Sequence, residues 1–411
     1  MLLKSRDRVS TRPMRPEVAV LLCCTSTQSE AEKAERLEVL LQENLNWAEL
    51  LEMATQHRVL PLFWAGLKAA RSSAIPQPIL MQLRREFHNQ TRHSLLLSGE
   101  LVRLLNLFKA QGIDTLPFKG PVLAAAAYGN LSLRQFCDLD ILVRSRDVEK
   151  AKALLLAEGY GMKIERIEVT PEQEAAFIQS SQIQHLVREA AYPFVHPQTG
   201  FVVELHWGIM PLYFCFSLNS EADWNNLETV AIAGESVPNL SPEMMLLAIC
   251  GHGTKDCWTQ LARICDVAAI VRNHPQLNWD KVLELARIKG GRRMLFLGLF
   301  LARDLLELPL PETILQQIEA EPEVKILAQQ VSERLFDSVD RTEKDGSKTR
   351  FHLLARERWR DRVRYFLQLL FVPTTSDWLL WPQAEFPVFL YYLLRPLSLV
   401  RKQVFKPSKS S

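Results

Sequence analysis

The chain has 411 residues, 47% of them hydrophobic and 23% charged, with a formal net charge of +2. That composition fits a globular protein with room for two or three compact regions, and so small a net charge gives no field that would mark a nucleic-acid or anionic-membrane binder. Seven cysteines, an odd number with no Cys-x-x-Cys pair, argue against a disulfide framework and for a reducing cytoplasm.

Residues 1–26 read as a loose N-terminal segment. Within it Val18 to Cys24 is apolar and follows Arg12 and Arg15, a weak imitation of a signal peptide without a convincing cleavage site. Residues 27–111 read as a helical region. Leu37, Leu40 and Leu41 recur at helical spacing, as do Leu50, Leu51 and Ala54. Leu60-Pro61-Leu62 interrupts the pattern, a second helix runs to Ala70, and Pro76 and Pro78 precede a long helix from Ile79 to Ala110.

The period changes at Gly112, and residues 112–215 read as an α/β core. Ile113–Phe118 predicts a strand, and Gly120-Pro121 opens a helix to Tyr128, with Pro where a missing N–H costs little. Asp138–Val143 predicts a strand, followed by a helix Val148–Glu158 capped by Asp147 and closed by Gly159. Tyr192–His196 and Phe201–Trp207 flank Pro197-Gln198-Thr199-Gly200, a hairpin signal.

Residues 216–411 read as a C-terminal helical region. Ser241-Pro242-Glu243 starts a helix carrying His252, Lys255 and Trp258, then Leu261 and Asp266. Further helices are predicted near Trp279–Ile288, Gly291–Leu306 and Pro311–Ala320, with a mobile polar loop over 338–350. The aromatic, leucine-rich stretch from Tyr365 to Val400 is broken by Pro373, Pro382, Pro387 and Pro396 and reads as short packed helices. It is also a candidate for peripheral membrane contact. No run approaches the roughly 18 apolar residues of a spanning helix.

Asp138-Leu139-Asp140 is the feature hardest to explain as core. Residues i and i+2 of a strand share a face, so two carboxylates project together while Leu139, Ile141 and Val143 pack on the other side. Adjacent carboxylates repel unless cations or donors compensate, and Mg²⁺ (or Mn²⁺) is the natural compensator. Glu204 is the third candidate. Alternation through Phe201–Trp207 puts Val202, Glu204 and His206 on one face, and a strand beside Asp138–Val143 would bring Glu204 to the aspartates. His206 would then orient Glu204, simply pack, or take a direct metal role.

Lys119-Gly120 lies at a strand-to-helix transition, where Gly permits close backbone approach and a helix N-terminus favours anions. Lys119 and Arg134 could each add a charge-assisted contact to phosphate. Arg134, four residues before Asp138, could instead pair with it. Lys255 could line a nucleotide cleft with His252, or the two could make interhelical polar contacts. Cys250, His252, Cys257 and Cys265 have no zinc-finger spacing.

Together these motifs resemble the polymerase-β-like nucleotidyltransferase superfamily. More narrowly they resemble an uncharacterised bacterial nucleotidyltransferase family with a Lys-Gly turn (Lys119-Gly120), an Arg before Asp-x-Asp (Arg134, Asp138, Asp140) and a Glu-Leu-His-Trp strand (Glu204 to Trp207). Asn46-Trp47, Gln56-His57-Arg58-Val59, His252, Trp258, Asp266 and Tyr391-Tyr392-Leu393-Leu394-Arg395-Pro396 extend the resemblance over most of the chain. It departs from the superfamily in having Gly120-Pro121 for Gly-Ser or Gly-Gly, and a longer Gly-to-acidic gap. The resemblance implies an α+β fold and an NTP donor. Asp138, Asp140 and Glu204 would be metal-binding and catalytic; Lys119, Gly120, Arg134 and Lys255 would be nucleotide-binding. The acceptor is open: a small molecule, a protein or an RNA. The rival reading is a non-catalytic nucleotide-binding or scaffold protein of the same fold.

Overall fold

The computed structural model describes residues 14–70, 74–162, 190–214, 221–336, 345–374, 377 and 388–404. Five helices come first: α1 (Pro16–Thr25), α2 (Glu30–Leu40), α3 (Trp47–Gln56), α4 (Leu60–Ala70) and the long α5 (Gln77–Ala110). Then follow β1 (Thr115–Pro117), α6 (Gly120–Tyr128), β2 (Asp138–Val143), α7 (Val148–Ala157), β3 (Gly161–Met162), β4 (Ala191–Val195) and β5 (Val202–His206). A short α8 (Glu221–Asn225) leads to β6 (Glu228–Ile232) and β7 (Glu235–Asn239). The remaining elements are α9 (Pro242–Lys255), α10 (Leu261–Asn273), α11 (Trp279–Lys289), α12 (Arg292–Leu306), α13 (Glu312–Glu319), α14 (Pro322–Leu335), α15 (Asp345–Leu354), α16 (Trp359–Phe371) and α17 (Val388–Val404). The architecture is α+β, as the sequence led us to expect.

Local chemistry sets many of these boundaries. Ser29 and Glu32 close a capping box at the start of α2, which satisfies two backbone donors reciprocally. Asn46, Ser241 and Asn278 each accept a backbone N–H at the start of α3, α9 and α11. Gly129 and Gly290 end α6 and α11 in the left-handed region, where a Cβ would be strained.

Contacts divide the chain into two compact units. One takes Met1–Leu104, Pro117–Cys137 and Asn226–Glu357; the other takes Leu105–Leu116, Asp138–Asn225 and Arg358–Ser411. In the first, α1, α2 and α4 pack together, as do α9, α10 and α12, with the fully buried Trp258 against Gly253 of α9 and Gly298 of α12. In the second, a mixed five-stranded sheet has the order β1-β2-β5-β4-β3. β2 runs parallel to β5, and β4 is antiparallel to both β5 and β3. The expected hairpin is β4–β5, closed by Gly200 at φ +71° with its N–H on His196 O.

Five expectations need correction. Pro16–Thr25 is a helix, with Val20 and Leu21 fully buried, where a loose segment was expected. β6 and β7 form a hairpin inside the region read as helical. α9 stops at Lys255, and the chain turns at Cys257 and Trp258, both with positive φ, before α10 begins. Residues 345–350, read as loop, start α15, and Pro396 lies inside α17 instead of ending a helix. Residues 338–344, Cys215, Trp378, Pro382 and Pro387 lie outside the described residues.

Candidate metal centre

The parallel pairing of β2 with β5 builds the centre. Register sets Asp138 opposite Val202, Asp140 opposite Glu204 and Leu142 opposite His206. Side chains at alternate positions share a face, so Asp140, Glu204 and His206 converge. One ligand atom from each lies within 4.8 Å of the others, the group of this kind among the described residues. His206 Nε2 is 3.2 Å from Asp140 Oδ1 and 3.1 Å from Glu204 Oε2. The same strands bury Leu139, Ile141, Val203 and Leu205, so the polar face is anchored by an apolar one.

Asp140 and His206 are buried, whereas the Glu204 side chain keeps 37% of its exposure. The centre therefore has a closed end and an end open to solvent. Burial alone would disfavour an imidazolium at His206. Hydrogen bonds to Asp140 and Glu204, and their negative charge, outweigh it and raise the pKa above the ordinary histidine value. Two carboxylates facing one another call for a compensating positive charge, which a hard divalent cation would supply. The two carboxylate oxygens suit such a cation, with the His206 imidazole as their shared hydrogen-bond partner. Asp138 lies two residues earlier on the same face of β2, half-buried, and is not a member of the tight group.

The other sequence-level candidates belong to the first unit. Lys119 precedes α6 with its Nζ 5.0 Å from the Phe118 ring, and Phe118 in turn stacks on His252 at 5.9 Å. Gly120 follows at φ +52°, a conformation that suits glycine and little else. Arg134 is buried against Asp266, with Nε 2.9 Å from Oδ1 and Nη2 3.1 Å from Oδ2. The Tyr128 hydroxyl donates to the same Asp266 Oδ1 at 2.8 Å. Lys255 Nζ lies 3.6 Å from Asp256 Oδ1. Burial would raise the Asp256 carboxyl, but Lys255, Arg263, Lys119 and Lys348 together hold it below the usual range. His252 is buried on α9 with its ring stacked on Phe118.

Sequence reading left two residues of this geometry in minor roles. For His206 the sequence leaves orienting Glu204, packing and a direct metal role open; its place between two carboxylates follows from strand alternation once the β2–β5 register is known. Asp266 has no role in the sequence reading beyond its place on a helix and in the resemblance, yet it is the buried partner of Arg134, 132 residues away in the chain.

A family model described as an uncharacterised nucleotidyltransferase matches residues 43–307, well over half of the chain. Comparison with curated proteins and with solved structures gives no match to either.

Proposed function

The chain belongs to the uncharacterised nucleotidyltransferase family, and from that premise we propose that it moves a nucleoside monophosphate from an NTP to a hydroxyl or phosphate acceptor. An acceptor oxygen forms a bond to the α-phosphorus, the bond from that phosphorus to the β-bridging oxygen breaks, and pyrophosphate leaves. The observation that carries this reading is the register that sets Asp140 directly opposite Glu204.

In this reading Asp138, Asp140 and Glu204 hold Mg²⁺ or Mn²⁺. A divalent cation supplies Lewis-acid polarisation of the α-phosphate and neutralises the leaving pyrophosphate. The protein's own groups do the rest. His206 hydrogen-bonds both carboxylates and keeps them aimed at one point. Glu204, the solvent-reachable carboxylate, takes the proton from an acceptor hydroxyl. Lys119, at the glycine turn before α6, contacts phosphate as a point charge. Arg134 acts on structure through Asp266, since its guanidinium is committed to a bidentate buried pair.

The test is incubation with each α-labelled NTP and Mg²⁺ or Mn²⁺, followed by assay of pyrophosphate and of label on small molecules, protein and RNA. Metal-dependent pyrophosphate release, lost in Asp140→Asn and Glu204→Gln, is the expected result. Metal-dependent NTP binding with no turnover under any acceptor condition would favour the scaffold reading.

A further inference from the structure

We propose that the paired helices α16 and α17 form a peripheral docking face for an anionic lipid bilayer. On α16, Trp359, Val363, Phe366, Leu367 and Phe371 are 75%, 46%, 52%, 47% and 43% exposed. They recur at spacings of four, three, one and four, which is a single helical stripe. On α17, Phe389, Leu393 and Leu397, four residues apart, are 62%, 65% and 66% exposed. The opposite faces hold the pair to the fold. Tyr365, Tyr391, Arg395 and Ser398 are buried, and the Tyr365 ring lies 6.3 Å from that of Tyr213. The outward stripes are thus left over after packing is satisfied.

The two helices enclose a groove of about 570 Å³ lined by Trp359, Val363, Leu367, Phe371 and Tyr392, with Arg360 and Arg364 along it. Contiguous apolar surface of this kind marks an interaction site. Charge decides the partner. The short stretch Arg358–Arg364 carries four arginines against one aspartate. Residues 388–411 carry Arg401, Lys402, Lys406 and Lys409 and no acidic residue, apart from Arg395, whose charge is buried against Asp377. This is concentrated in a chain whose net charge is only +2. Large aromatic and leucine side chains with basic neighbours suit an acyl–headgroup boundary carrying anionic lipid. No helix among the described residues is long and apolar enough to cross a membrane, so this face would lie on the bilayer surface.

The experiment is co-sedimentation of the full chain with phosphatidylcholine vesicles and with vesicles of phosphatidylcholine mixed with phosphatidylglycerol. The proposal expects partition onto the mixed vesicles, weakened by salt. Arg360→Glu/Arg364→Glu should lower the partition coefficient at least about tenfold, at roughly a factor of five per basic residue near an anionic surface. Leu393→Ser/Leu397→Ser should lower it similarly, and neither variant should shift the melting curve because all four side chains are exposed. Absence of partition onto either vesicle would overturn the proposal, as would equal retention of both variants. So would a concentration-dependent dimer abolished by Leu393→Ser/Leu397→Ser without vesicle binding, since the face would then be a self-interface.

Discussion

Asp266→Ala removes the acceptor of a buried, bidentate guanidinium and of a tyrosine hydroxyl at once. The Arg134 and Asp266 side chains retain only 9% and 1% exposure, so water cannot replace the lost carboxylate without opening the fold. Breaking such a pair leaves a buried charge uncompensated and costs about 3–5 kcal/mol. At about 2–4 °C per kcal/mol for a unit of about 250 residues, Tm should fall by roughly 6–20 °C. Arg134→Met/Asp266→Leu removes both charges and should recover about 2 kcal/mol of that loss. The remainder, about 1–3 kcal/mol, belongs to the stranded Tyr128 hydroxyl. Thermal and urea melts of the three proteins, with NTP affinity measured on each, form the assay. An Asp266→Ala protein that melts like wild type, or an Arg134→Met/Asp266→Leu protein that folds well but loses NTP binding while Asp266→Ala keeps it, would refute the structural role of Arg134 and return it to the phosphates.

Other outcomes follow from the same structure. A Cβ at Gly253 would lie 2.6 Å from carbons of the Trp258 ring, which is fully buried, so Gly253→Ala should cost about 1–3 kcal/mol by urea denaturation. Gly298→Ala crowds the same ring and Cys250 Sγ, so the two substitutions should not add. Burial, with Arg356 nearby, pushes the His352 pKa down to about 3, and its Nε2 donates to Lys255 O at 3.0 Å. The folded state thus keeps His352 neutral while the unfolded chain takes up a proton below about pH 6.5. Its contribution is present above that pH and is lost as pH falls toward 3, by up to about 1.4 kcal/mol per pH unit; acid titration of stability should flatten in His352→Gln. Lys119→Ala should raise KM for the NTP by about 10–100-fold, the worth of a charge-assisted phosphate contact; an unchanged KM would make Lys119 a surface lysine.

What was readable in the chain depended on how local the signal was. Asp138–Val143 showed its strand through period-two alternation and its face through the two aspartates, and the structure has a strand over the same residues. The β4–β5 hairpin announced itself through Pro197 to Gly200. The β6–β7 hairpin did not, because its strands are mostly exposed and lack a clear apolar alternation. Its signal was the two-residue turn Ala233-Gly234, both at positive φ, in a dipeptide less telling than Asn-Gly. The break after Lys255 was hidden because Cys257 and Trp258 adopt left-handed backbone, which neither residue type advertises. Trp258 there turns inward between Gly253 and Gly298, so tertiary packing overrides helical continuity. The Arg134–Asp266 pair and the position of His206 between two carboxylates are properties of register and long-range packing, which one sequence does not display.

The central claim is that Asp140 and Glu204 bind a divalent cation together with an NTP. Mn²⁺ titration followed by electron paramagnetic resonance, with and without each NTP, addresses it without knowledge of the acceptor. The wild type should bind Mn²⁺ more tightly when one NTP is present. Asp140→Asn and Glu204→Gln should each weaken binding at least about tenfold, since even outer partners of metal ligands are worth 10–100-fold. Folded variants that bind Mn²⁺ and NTP as the wild type does would contradict the assignment of these carboxylates, and with it the proposed site.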